Sequence, residues 1–243
     1  MPQDIDNLQA FYNTELGRLC RRFIGRVIRS RWGAETGGTV ASLGYGVPYL
    51  HTCIGKAGAC MALMPAEQGA VVWPESGRCA TALVDLDMLP LPDASIDRLL
   101  LAHVLEAAPR PETLLEEVWR VLAPEGRVLI VAPSRRGVWA HAEGTPYGHG
   151  LPYSRAQLRD ILQRASFTPV FWGEALYMPP VSRRLVIRAA PSIERLGSAL
   201  GLPFAGVHVV DAKKQVQQPA LIRVTKTSRL TQLRPALAVE ANR

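Results

Sequence analysis

The chain has 243 residues, 48% of them hydrophobic and 20% charged, and its 28 Lys and Arg against 21 Asp and Glu give a formal net charge of +7. That length holds the core of one α/β domain with about 50 residues over for attachments, and no apolar run approaches the ~20 residues that span a bilayer. The positive balance suits an anionic partner such as nucleic acid, but a solvated basic surface produces the same count.

The opening residues, MPQDIDNLQAFYN, hold early acids and no apolar stretch, which is not the pattern of a signal peptide. Leu8, Phe11, Tyr12, Leu16, Leu19, Phe23, Val27 and Ile28 then recur at three- and four-residue steps. They predict a helix over 7–32, with Arg18, Arg21, Arg22, Arg26 and Arg29 filling its polar side. The next stretch, VASLGYGVPYLHTCIG, is a strand-like run broken by Gly44 and Gly46. Glycines after a strand let backbone N–H groups approach a nucleotide-like ligand, although Tyr49 stands where a dinucleotide pattern needs a third glycine. Cys20, Cys53, Cys60 and Cys79 lack Cys-x-x-Cys spacing and lie within or beside apolar runs, as expected of reduced thiols in a cytoplasmic protein.

Strands are expected at 40–43, 60–64, 80–84, 98–102 and 127–132, the last, RVLIVAP, being β-branched and buried. Before it lies a helix, RPETLLEEVWRVLAPEGR. It opens at Pro111, buries Leu114, Leu115, Val118, Val121 and Leu122, and is stopped by Pro124 and Gly126. Ser154 with Gln157 forms a capping-box pattern for a helix burying Leu158, Ile161 and Leu162. FTPVFWGEAL and FAGVHVVDAKKQV read as a closing antiparallel pair of strands, separated by an insert at 177–203 whose helix either lids a pocket or simply packs. The organisation expected is a helical segment at 1–35, a core at 36–216, and a basic, flexible tail at 217–243. Strands alternating with helices predict an α/β fold with a mostly parallel sheet.

The stretch 82–133 resembles the core of class I S-adenosylmethionine-dependent methyltransferases of the type 11 group. Asp85 ends a strand, Leu89-Pro90-Leu91-Pro92 forms the turn, Asp97 precedes the next strand, and Leu122-Ala123-Pro124-Glu125-Gly126 enters the following one. The resemblance implies a Rossmann-like fold: a seven-stranded, mostly parallel sheet with helices on both faces. It also implies S-adenosylmethionine as cofactor, with Leu43, Gly44, Tyr45 and Gly46 at its methionine end. Asp85 would accept from the adenine amino group, with Leu86 beside the ring and His103 bordering the sulfonium and the substrate pocket. Two positions depart from that pattern. Ser42 stands where an acid commonly faces the cofactor's ammonium, and Met64 or Pro65 where an acid serves the ribose, leaving Glu67 as the nearest carboxylate.

Methyl transfer needs in-line placement, exclusion of water and a base where the acceptor carries a proton. His103, His141, Tyr147 and His149 are the candidate catalytic groups, and Arg135, Arg136 and Tyr153 the candidate substrate contacts. The loop 135–153 is expected to fold over the cofactor mouth, its arginines favouring an anionic substrate. No metal site is expected, since His141 and His149 lack His-x-x-x-His spacing. LAHVLE replaces the Asp/Asn-Pro-Pro-Tyr/Phe element of base-amine methylation, and no cysteine follows Cys79 to serve C5-pyrimidine chemistry. The acceptor expected is a small molecule or a protein group. The alternatives are a catalytically weak or inactive partner-binding protein, suggested by the missing acids, and an RNA methyltransferase using the basic helix and tail.

Overall fold

The computed structural model describes residues 4–32, 37–51, 53 and 55–215. The expected tail at 217–243 lies outside the described residues. Where one helix was expected over 7–32 there are two, α1 (Ile5–Asn13) and α2 (Glu15–Trp32). Thr14 makes the break: its hydroxyl donates to Phe11 O at 2.7 Å and accepts from Gly17 N at 3.0 Å, capping α2. Gly17 permits the bend, because a Cβ there would lie 2.0 Å from Phe11 O.

Seven strands follow: β1 (Thr39–Gly44), β2 (Ala59–Pro65), β3 (Thr81–Val84), β4 (Ile96–Ala102), β5 (Leu122–Pro133), β6 (Phe167–Ala175) and β7 (Val207–Lys214). They form one sheet in the order β3-β2-β1-β4-β5-β7-β6, the first five parallel and β7 antiparallel to both neighbours. Leu43 sits level with Leu63 and Leu101, so the carboxyl ends of β1, β2 and β4 open at one rim.

Helices α3 (Val47–Leu50), α4 (Pro111–Val121), α5 (Arg155–Arg164) and α6 (Arg184–Leu200), with two short 3-10 turns at Val138–His141 and Pro146–Gly148, complete the described elements. Leu114, Val118, Leu158 and Leu162 of α4 and α5 pack with Leu99, Leu101 and Ile130 on one face of the sheet. Leu8, Phe23, Ile24 and Ala190 of α1, α2 and α6 pack with Leu100, Leu129 and Val209 on the other. Both halves of the Ser154–Gln157 capping box are made, at 3.2 and 3.0 Å. The insert helix α6 packs on α2 and β6, and buried Glu194 accepts from the backbone N–H groups of Leu176 and Tyr177 at 2.8 Å each. Lys213 and Lys214 belong to β7, as the strand-like FAGVHVVDAKKQV predicts, and buried Lys214 donates to Leu122 O at 2.6 Å and lies 4.0 Å over the Trp119 ring. Asp211 is fully buried and binds Arg31 of α2 at 3.2 Å and Arg127 of β5, tying the N-terminal helix to the sheet.

Candidate active site

Parallel strands deliver their following turns to one rim, which is where α/β proteins build sites. The turns after β2 and β3 carry Glu67, Asp85 and Leu86, which with Pro65, Ala66 and Val84 line a cavity of about 300 Å³. Asp85 is exposed there, one carboxylate oxygen accepting from Asp87 N at 2.9 Å, and Asp87 in turn pairs with Arg110 at the edge. Glu67 thus shares a cavity with Asp85 although it lies past the end of its strand.

The glycine loop after β1 is shaped by the protein itself. Gly44 has φ +82°, and a Cβ on it would lie 2.3 Å from Ala102 O, so β1 and β4 can close only around glycine. A Cβ on Gly46 would meet Ser42 Cβ at 2.4 Å, so the space this glycine keeps open belongs to Ser42 rather than to a ligand. The Leu43 side chain is fully buried in the α4–α5 face of the core, which leaves only its backbone at the rim. The Tyr45 ring is also buried, 5.5 Å from that of Tyr12.

Tyr12, carried over the rim by α1, is the centre of a buried polar cluster. Its hydroxyl lies 3.0 Å from that of Tyr49, 2.8 Å from that of Tyr147 and 2.8 Å from His103 Nε2. Burial pushes all three phenols above their ordinary pKa, so they stay protonated. His103, in the left-handed region at φ 55°, faces Glu106 through Nδ1 at 3.4 Å, and its carbonyl accepts from Gln68 Nε2 at 3.1 Å. Ile5 N donates to Gln68 O at 2.9 Å, docking the start of α1 on the same turn. Between Gln68, His103, Glu106, Pro146 and His149 remains a crevice of about 10 Å³, room for about one water. Ser42 Oγ, Gln68 Oε1 and Glu106 Oε2 are buried without hydrogen-bond partners among the described residues, and the last two sit at this crevice.

The loop after β5 does fold toward this rim, but through residues other than its arginines. Tyr147 is buried in the Tyr12 cluster, and Tyr153 pins the loop by donating from its hydroxyl to Leu105 O at 3.3 Å and from its N–H to Pro133 O at 2.9 Å. Burial raises the Tyr153 phenol to about 12. Arg135 and Arg136 are exposed and line neither the 300 Å³ cavity nor the crevice. His141 is likewise exposed outside both, and His149 Nε2 is engaged with Glu143 O at 2.8 Å. The expected anion fork is therefore not assembled in the cleft.

Tyr12, Gln68 and Glu106 were not singled out from sequence as site residues. Tyr12 counted as core in an apolar stripe, and Gln68 gives no pattern of its own. Glu106 carried a signal, standing three residues after His103 as the next turn of chain after β4.

Residues 50–130, a third of the chain, match the family model described as a methyltransferase domain. Among solved structures, the chain is similar to a methyltransferase from Haloferax volcanii in complex with the Trm112 methyltransferase activator (18% identity, 88% of this chain and 98% of that one, TM-score 0.62). It is similar also to an S-adenosylmethionine-dependent methyltransferase from Thermotoga maritima (15% identity, 87% and 96% coverage, TM-score 0.62). The cyclase SpnF shares the fold at 19% identity, 81% coverage of each chain and a TM-score of 0.58. No curated protein matches.

Residues 50–130 thus match a methyltransferase domain, and the sheet order gives the chain the fold of class I S-adenosylmethionine-dependent methyltransferases. A methyltransferase from Burkholderia thailandensis with the same fold is similar to 79% of this chain at 16% identity and a TM-score of 0.51, and it holds S-adenosylhomocysteine. The rim is divided into two unequal spaces. The cavity at the ends of β2 and β3 carries the carboxylates of Glu67, Asp85 and Asp87, whereas the space past β1 is filled by the protein's own Tyr12, Tyr45, Tyr49 and Tyr147. Among the described residues no helix is long and apolar enough to cross a membrane.

Proposed function

We propose that the domain methylates a small molecule or a protein group in the cytoplasm, with the adenosine half of the cofactor between Glu67 and Asp85 and the acceptor beside His103. The observation that carries this reading is the 300 Å³ cavity at the carboxyl ends of β2 and β3 with the carboxylates of Glu67, Asp85 and Asp87 in its wall. When bound, the cofactor supplies an activated methyl group on sulfur. Asp85 offers its remaining acceptor capacity to the adenine amino group, and Glu67 stands in for the acid absent at Met64 and Pro65. His103 is the base for an acceptor that carries a proton, and the Glu106 carboxylate beside Nδ1 stabilises the imidazolium formed. Cys20, Cys53, Cys60 and Cys79 remain thiols, which supports the cytoplasmic setting.

Room for the methionine half exists only once Tyr12 leaves the cluster, so α1 has to shift before a complete site forms. Calorimetric titration with S-adenosylmethionine tests the reading. Asp85→Ala should weaken binding by about 1.5 kcal/mol, roughly tenfold, the low end for a charge-assisted bond because Asp85 is exposed. Equal affinity in wild type and variant removes Asp85 from the site. No binding by either the wild type or a Tyr12→Ala variant removes the cofactor reading itself.

A further inference from the structure

Outside the cleft, between α2 and the α3 turn, lies a groove of about 400 Å³. Arg18, Arg21, Arg22 and Arg29 of α2 form one side, and Pro48, Tyr49 and His51 the other. All four arginines are exposed, and none forms an ion pair among the described residues; Arg18 donates only to Asn13 O, at 2.7 Å. Elsewhere in the chain the arginines that line a structural seam are neutralised: Arg31 and Arg127 by Asp211, Arg120 by Glu117 and Asp93. Among the described residues no carboxylate lines this groove.

Like charges three and four residues apart on a helix repel one another, so α2 carries a strain here that a bound anion would relieve. The floor is apolar, made by buried Gly25, Ile28 and the Tyr49 ring. Gly25 is a mid-helix glycine, unfavourable relative to alanine. A Cβ there would stand 3.1 Å from the Arg29 guanidinium and 3.7 Å from the Tyr49 ring, so the absent side chain is what keeps the floor open.

We propose that this groove is a binding site for a small phosphorylated organic molecule, its phosphate held by the α2 arginines and its apolar part laid on Gly25 and Tyr49. Guanidinium forks match phosphate oxygens in pairs, and the volume falls within the range of small-ligand pockets. A concave site closed by Pro48 and His51 suits one compact ligand better than a strand of nucleic acid tracked along an open face. The site does not depend on the methyl-donor reading. Its ligand lies on the Tyr49 ring, while the Tyr49 hydroxyl, on the far side, belongs to the Tyr12 cluster.

The test uses the whole chain with three probes at physiological salt: phenyl phosphate, a short single-stranded RNA, and vesicles of anionic phospholipid. Phenyl phosphate should bind at one site at least tenfold more tightly than inorganic phosphate, because the ring uses the floor. Arg22→Gln with Arg29→Gln should weaken that binding tenfold or more, while S-adenosylmethionine affinity stays unchanged. Gly25→Leu, filling the floor, should reduce phenyl phosphate to the affinity of inorganic phosphate. If Gly25→Leu fails to fold, the exposed double arginine variant decides alone. Phenyl phosphate affinity unaltered by the arginine changes overturns the proposal. So does binding of RNA or vesicles, but not phenyl phosphate, that those changes abolish.

Discussion

Tyr12 decides more about this rim than any residue its motifs point to. Its hydroxyl meets three polar partners in a buried space, so each would lose a bond if it were removed. Tyr12→Phe should lower folding stability by about 1–3 kcal/mol in chemical denaturation, and it should strengthen S-adenosylmethionine binding, because the state with α1 displaced becomes less costly to reach. Weaker cofactor binding in a folded Tyr12→Phe protein would instead make Tyr12 a cofactor contact. The three buried phenols also set a pH response. Their folded pKa values lie above the ordinary value of 10.0, so their contribution is complete below about pH 10 and is lost as the pH rises further, when the unfolded chain ionises first. Denaturation midpoints should therefore fall above about pH 10, and in a Tyr12→Phe, Tyr147→Phe protein the fall should be shallower. Sequence could not reveal this cluster. Tyr12, Tyr49, His103 and Tyr147 are scattered over four segments, and each by itself fits a packed core position.

At the scale of elements, periodicity located the strands to within one or two residues at most ends, because apolar runs bounded by Gly, Pro and Asp have few other uses in a buried parallel sheet. It joined α1 to α2 because the apolar stripe continues across Thr14 without a missed beat. The break is local chemistry, a hydroxyl cap plus a close approach at Gly17, and neither changes hydrophobicity. Thr14→Ala should cost about 1 kcal/mol. Gly17→Ala should cost more, since its Cβ would drive into Phe11 O, and comparison of the two melting curves checks the order. The pairing of α2 with the sheet has its own determinant. Asp211→Ala would leave the Arg31 and Arg127 guanidiniums facing each other without their carboxylate, a loss of about 3 kcal/mol by the cost of breaking a buried ion pair. A change below about 1 kcal/mol in urea unfolding would show that both arginines find water instead.

For the whole molecule, the segment 82–133 declared the class, and the positions of Glu67, Asp85 and Leu86 follow from it because strand order alone brings their turns to one cavity. The other half of the rim was illegible, since it depends on where α1, from the far end of the chain, comes to rest. That division predicts how the molecule responds to its cofactor. On the proposed reading the cavity for adenosine is already open, whereas the methionine half requires Tyr12 to withdraw, breaking its three contacts and loosening the Ile5–Gln68 hydrogen bond. Most ligands slow amide exchange throughout the elements they touch. Here S-adenosylmethionine should slow exchange in the turns after β2 and β3 and, at the same saturation, speed it across α1 (Ile5–Asn13), with α2 beyond Gly17 unchanged because Asp211 still holds it. Hydrogen–deuterium exchange with mass spectrometry reads all three segments in one experiment. Slower exchange in α1 on binding would mean that Tyr12 stays in place and that the methionine half of the cofactor lies somewhere other than the space this cluster fills.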